Sequence, residues 1–131
     1  MYHSGILNSE INRILGNLRH TDCLCIADCG LPLPAGVEVV DLCVRLGQPA
    51  FLDVLAEITS HFDAEKIVLA EEMEEKNPAL FRNLQEQFAG IPRELVPHEE
   101  FKRLTSSCAA MIRTGENHPY ANLILQSSCI F

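Results

Sequence analysis

Cys23-Leu24-Cys25-Ile26-Ala27-Asp28-Cys29-Gly30 is an unbroken apolar run stopped by a carboxylate, a thiol and a glycine. Such a run lacks the alternation of a strand with one wet face and is too short for a buried helix, so it reads as a strand covered on both sides. Lys66-Ile67-Val68-Leu69-Ala70 repeats the pattern. Around these two runs the apolar residues fall at helical spacing. Ile11, Ile14, Leu15 and Leu18 follow the capping side chains Asn8 and Ser9, while Phe51, Val54, Leu55, Ile58 and Phe62 follow Pro49. Leu80, Phe81, Leu84 and Phe88 follow Asn77-Pro78, a strong helix start.

The rest of the chain supplies shorter elements. Strands are expected at residues 37–44, 94–96, 108–112 and 121–125, with a short helix at 98–106 and a turn at 114–119. The segment Leu31-Pro32-Leu33-Pro34-Ala35-Gly36 is a stiff loop, because its prolines lack the N–H a ladder or helix needs. Glu71 to Glu75 is an acidic run read as a solvated face. Strands alternating with helices predict a three-layer α/β/α architecture with a mixed, mostly parallel central sheet. The last two strands, joined by a short loop, introduce antiparallel pairing. No linker or internal repeat divides the 131 residues, so one domain over residues 1–131 is expected.

Composition narrows the function classes. At 47% apolar and 21% charged residues the chain has the balance of a folded globular protein. A net charge of -8 without a Lys/Arg cluster argues against nucleic acid as a partner. No apolar run reaches a membrane span and the N-terminus has no leader pattern, so no membrane insertion and a cytoplasmic location are expected. Six cysteines in a chain this rich in Ile, Leu and Val read as reduced thiols and not as a disulfide framework. Cys23, Cys25 and Cys29 cluster, but without the paired C-x2-C spacing of a structural zinc site. Core thiols are the favoured reading there, with a zinc or redox role as the rival.

Glycine-rich nucleotide cradles and Gly-x-Ser-x-Gly are absent, which leaves polar residues at element ends. His20, in the loop between the first helix and first strand, is the best acid/base candidate, since imidazole both donates and accepts protons near neutrality. Asp28 ends a buried strand, where ligands of open α/β sheets bind, although a carboxylate there also simply caps a turn. Tyr120 and Asn122 alternate at the start of the last strand and are expected on one face, as hydroxyl readers or as an ordinary strand edge. His98 and Lys102, four apart in a helix, share a face suited to a ligand or to plain solvent.

The order and spacing of several blocks resemble the ribose pyranase and fucose mutarotase superfamily. They are Gly5-Ile6-Leu7-Asn8, His20-Thr21-Asp22, Asp28 through Pro34, Ala70-Glu71-Glu72, Asn77-Pro78, His98 through Lys102, Ile112 through Glu116, and Pro119 through Leu125. The loop after Asp28, the His-Glu-Glu-Phe-Lys stretch and Tyr-Ala-Asn are similar to the ribose branch; the fucose branch usually carries Tyr-Gly-Asn. The resemblance implies a cofactor-independent isomerase interconverting pyranose and furanose forms of free D-ribose. It further implies His20 as proton donor and Asp28, His98 and the 120–122 segment as sugar-binding positions. It also implies a ring-shaped homo-oligomer, a pentamer or decamer, with sites near subunit contacts. Arg19 and Cys29 depart from the Gly and Ala usual in the family. Two other readings stand beside this one: a fucose-type mutarotase, and a non-catalytic sugar-binding or regulatory protein of a ribose transport system.

Overall fold

A computed structural model describes all residues, 1–131. Six strands form one sheet: β1 (Cys23–Ala27), β2 (Glu38–Asp41), β3 (Ala64–Ala70), β4 (Arg93–Val96), β5 (Ala110–Arg113) and β6 (Leu123–Ser127). The helices are α1 (Ser9–Asn17), α2 (Phe51–Thr59), α3 (Met73–Lys76), α4 (Pro78–Gln87) and α5 (His98–Thr105). Strand order is β2-β5-β1-β6-β3-β4. β6 runs antiparallel to both its neighbours, β1 and β3, and the other three pairings are parallel. The sheet is therefore mixed and mostly parallel, as expected.

The two apolar runs are buried on both faces because their alternate side chains enter different cores. Leu24, Ile26, Ile67, Leu69, Ile112, Leu123 and Leu125 face one core with α1, α2 and α4. Cys25, Ala27, Val68, Ala70, Met111 and Ile124 face the other, where Phe101 of α5 packs. Fully buried side chains such as Phe51, Phe101, Leu24 and Ile58 each contribute roughly 1.5–3 kcal/mol of hydrophobic stabilisation. Cys25 belongs to this interior: burial pushes its thiol well above the ordinary value, and pushes Cys108 up to about 12. Both behave as small apolar groups, and all six cysteines are free thiols.

Several sequence expectations shift. The second strand is only Glu38–Asp41, because the following residues turn through Arg45 and Gln48 before α2. The strands expected at 108–112 and 121–125 lie at Ala110–Arg113 and Leu123–Ser127. They do not pair with each other, since β1 is inserted between them in the sheet. A short loop permits a hairpin but does not require one when a central strand offers both edges. The acidic run is not merely solvated: it contains the short helix α3, and Glu72 leaves it to bind the start of α5.

Gly115 locks the loop after β5. Its N–H donates to the carbonyl of Pro49 and its own carbonyl accepts from Gly47, and a Cβ at this position would overlap the backbone of Gln48. Only glycine permits that approach. The loop is thereby fixed at Gly115 and Glu116 against the segment that enters α2.

Candidate active site

Topology sorts the candidate residues into two groups at opposite edges of the sheet. The parallel strands β1, β4 and β5 deliver Asp28, His98 and Thr114 at their carboxyl ends, and antiparallel β6 brings Tyr120 and Asn122 to the same edge at its start. His20 precedes β1 and lies at the other edge, with the first residues of β3 and the last of β6.

At the carboxyl edge Asp28 is the hub. Its Oδ1 accepts from the backbone N–H of Gly30 and Leu31, at 2.9 and 2.8 Å, which is the turn-capping role. Its Oδ2 accepts from the Asn122 side-chain amide at 2.9 Å, and its backbone N–H donates to Asn122 Oδ1 at 2.8 Å. A carboxylate offers about four lone-pair sites, so one remains for a ligand hydroxyl. Arg113 fixes the adjoining backbone by donating twice to the Cys29 carbonyl while its Nη1 holds Asp41 at 2.9 Å. Cys29 donates its own N–H to the Glu116 carbonyl, so the departure at this position alters a side chain and not the loop's anchoring.

His98 opens α5, where both carboxylate oxygens of Glu72 accept from its backbone N–H at 2.9 and 3.0 Å. An acidic group suits that helix end. The His98 ring meets Tyr120 edge-on with centroids 4.9 Å apart and stacks on Phe101. Its Nδ1 is buried and has no hydrogen-bond partner within the chain. Buried polar atoms are rarely left so, which makes this nitrogen the open hydrogen-bonding position of the cluster. Lys102 pairs with Glu99 and is half-buried on the same helix.

Tyr120 and Asn122 do not alternate along a strand as expected. Both precede β6, and Tyr120 has a left-handed backbone with φ 57. Asn122 is fully buried, with its amide committed to Asp28. The two residues reach one neighbourhood through a turn, which periodicity along the sequence does not reveal.

Glu116 ties this loop to α2. Its Oε2 accepts from the Phe51 N–H, while Oε1 accepts from the backbone of Asn117 and His118 and pairs with His118 Nδ1 at 2.6 Å. Burial alone would raise the Glu116 carboxyl, but the bonds from His118 and Phe51 outweigh it and hold it below its ordinary 4.5. A carboxyl depressed in the folded state contributes stability that is complete above its unfolded value and lost as pH falls through the folded one. Thermal melts should therefore show wild type more stable than Glu116→Gln near neutrality, with the difference shrinking below pH 4.5. A pH-independent difference would contradict this.

At the opposite edge, His20 occupies a turn closed by the Asp22 N–H donating to the Arg19 carbonyl, with Arg19 N–H donating to Asp22 Oδ2 at 2.7 Å. Thr21 in that turn has φ 72. A β-branched residue in this region costs of order 1–3 kcal/mol and persists only where its surroundings impose it. Thr21 and Tyr120 are the chain's two non-glycine residues with positive φ, and each stands at one of the two groups of candidate residues. The Arg19 guanidinium donates to the carbonyls of Gly16 and Leu18. His20 lines a cleft of about 490 Å³ with Phe62, Ile130 and Phe131. Its Nε2 lies 2.9 Å from Glu65 Oε2, a partner the sequence reading did not find.

These features define an α/β protein with a cluster of hydrogen-bonded polar side chains at the carboxyl edge of its sheet and an imidazole–carboxylate pair at the other. The chain belongs to the RbsD / FucU transport protein family, whose model matches residues 1–130. It is 50% identical over 131 residues to the D-ribose pyranase of Staphylococcus haemolyticus, covering 100% of both chains. It is 47% identical to that of Geobacillus kaustophilus, covering 100% of this chain and 96% of the relative. The structure of Bacillus subtilis RbsD complexed with D-ribose superposes with a TM-score of 0.96 at 44% identity, covering 100% of both chains. The fucose mutarotase of Streptococcus pneumoniae, crystallised with L-fucose, shares the fold with a TM-score of 0.77 at 18% identity over 95% of each chain.

Proposed function

We propose that this chain is a D-ribose pyranase that interconverts the pyranose and furanose forms of free ribose by proton transfer at His20. The supporting observation is the pairing of a polar cluster at Asp28, His98, Tyr120 and Asn122 with full-length relatives that carry that name and a structural match complexed with D-ribose. Opening the ring requires a proton on the ring oxygen and removal of one from the anomeric hydroxyl, which leaves the open-chain aldehyde. Closing through a different hydroxyl reverses both transfers. Asp28 accepts from a sugar hydroxyl, His98 offers Nδ1, and Tyr120 and Lys102 flank the sugar, while Asn122 holds Asp28 in place.

In this reading one copy does not make the site. β1 separates His20 from Asp28 by five strand residues, about 16 Å, so the two side chains cannot meet the same ribose within a chain. The imidazole edge of one copy must therefore face the carboxyl edge of another. That contact joins two different surfaces, and a heterologous contact builds a ring where its rotation closes and an open filament where it does not. A ring-shaped homo-oligomer, a pentamer or decamer, is the assembly that this reading calls for. Asp28 accordingly does not orient the His20 of its own chain. No helix is long and apolar enough to cross a membrane, and six free thiols suit the reducing cytoplasm, where we place the protein.

Magnetisation transfer between the pyranose and furanose signals of ribose tests the function directly. Added protein should raise the exchange rate well above buffer, and raise it more for ribose than for fucose. Binding without acceleration would select the sugar-binding, non-catalytic reading, and preference for fucose the mutarotase reading.

A further inference from the structure

We infer that Glu65, held by Gln126, is the positioning residue that fixes the tautomer of His20 for proton transfer; the inference rests on His20 being the proton-transfer group. Three side chains form a line across the imidazole edge. His20 Nε2 is 2.9 Å from Glu65 Oε2, and Gln126 Nε2 donates to Glu65 Oε1 at 2.7 Å. A carboxylate only accepts, so the imidazole nitrogen facing it carries hydrogen and Nδ1 is the nitrogen left to exchange a proton with substrate. The hydrogen bond from His20 holds the Glu65 carboxyl below its usual range, against a smaller opposing effect of burial. The carboxylate form that the arrangement needs is thus the favoured one.

The backbone is built to aim Glu65 this way. β3 and β6 pair regularly from Lys66↔Gln126 through Val68↔Ile124, and the next pairing is Ala64↔Ser127. Two steps along β3 oppose one along β6, so Glu65 is the extra residue of a β-bulge. Bulges redirect a side chain out of the strict alternation of a strand and recur beside functional sites. The same end of β6 also grips the His20 turn: Thr21 N–H donates to the Ser127 carbonyl at 3.1 Å, and Ser127 N–H donates to the Asp22 carbonyl at 2.8 Å. Two consecutive residues of β6 therefore fix His20, Ser127 through the backbone of its turn and Gln126 through Glu65. An exposed pair of this kind contributes little to stability, so a purely structural purpose does not explain a bulge, a carboxylate and an amide converging on one imidazole.

During ring opening, Nδ1 takes the proton of the anomeric hydroxyl, which makes the ring an imidazolium, and delivers it to the ring oxygen as the bond from C1 to that oxygen breaks and the aldehyde forms, while Nε2–H stays bonded to Glu65. The carboxylate stabilises the imidazolium form and holds the ring's orientation without itself taking the proton.

The test uses full-length protein with ring-15N-labelled histidine, the His20 signals being assigned by their loss in His20→Ala. In wild type, Nε2 should appear as the protonated and Nδ1 as the unprotonated nitrogen of the neutral ring. In Glu65→Ala both should move to averaged values as the tautomers mix, ribose exchange at saturating sugar should fall roughly 10- to 100-fold, and ribose binding should be unchanged. Gln126→Ala should shift the same signals in the same direction by less. An unaltered His20 signature in Glu65→Ala, or an unaltered exchange rate, overturns the proposal. The spectrum needs no sugar, so the two readings fail separately. A wild type that exchanges ribose with a His20 indifferent to Glu65 removes this inference alone. A Glu65-dependent tautomer in a protein that accelerates nothing supports the positioning and removes the assigned reaction.

Discussion

His20→Ala is expected to lower the rate of ribose pyranose–furanose exchange by about 10²–10⁴-fold, the contribution typical of a positioned general acid/base. Folding should survive, because the His20 side chain is 54% exposed and its turn is held by backbone bonds of Thr21, Asp22 and Arg19 that do not involve the imidazole. Ribose affinity should change little, since the residues offered to its hydroxyls stand at the other edge of the sheet. Magnetisation transfer, a thermal melt and a ribose titration on the same preparation separate the three quantities. An exchange rate equal to wild type would take the reaction away from His20. A lost melt would instead show that the turn depends on the ring.

Much of the fold was legible because its signals are local. The two apolar runs gave β1 and β3 nearly to the residue, since a strand buried on both faces needs no partner to be recognised. Asn77-Pro78 gave the start of α4 for the same reason: Pro78 occupies the first turn, where its missing N–H costs nothing. Register and neighbour order were not legible. Nothing between Arg113 and Leu123 says that β1 will lie between β5 and β6, because that choice is made by burial of the whole sheet.

The site divides along the same line. His20, Asp28 and His98 stand at element ends, a property visible in one dimension, and the family blocks point to them. Their second partners are long-range. Glu72 reaches His98 across 26 residues and Glu65 reaches His20 across 45. Glu72 was hidden in a run of acidic residues that looks like solvated surface, and Glu65 in the single irregular step of β3, which no periodicity announces. The separation of His20 from Asp28 was hidden by their closeness in sequence. Eight positions suggest a shared cleft, whereas an intervening strand carries them to opposite ends of the sheet.

That separation yields the second large effect, complementation between inactive variants. In the proposed ring, His20→Ala lacks the imidazole at every site, and Asp28→Asn lacks the carboxylate proposed to accept from the sugar. Asn at this position also disturbs the amide of Asn122, which would face another amide. Each variant alone should be nearly inactive. If a site takes His20 from one copy and Asp28 from the next, a mixed ring contains sites where an intact His20 of an Asp28→Asn copy faces an intact Asp28 of a His20→Ala copy. Random assembly of equal amounts makes about one quarter of the contacts of that kind. Co-expression, or joint unfolding and refolding, should therefore restore roughly a quarter of wild-type exchange per site, whereas mixing without subunit exchange should restore none. A site built within one chain predicts no recovery under either protocol, because every copy then carries one of the two defects.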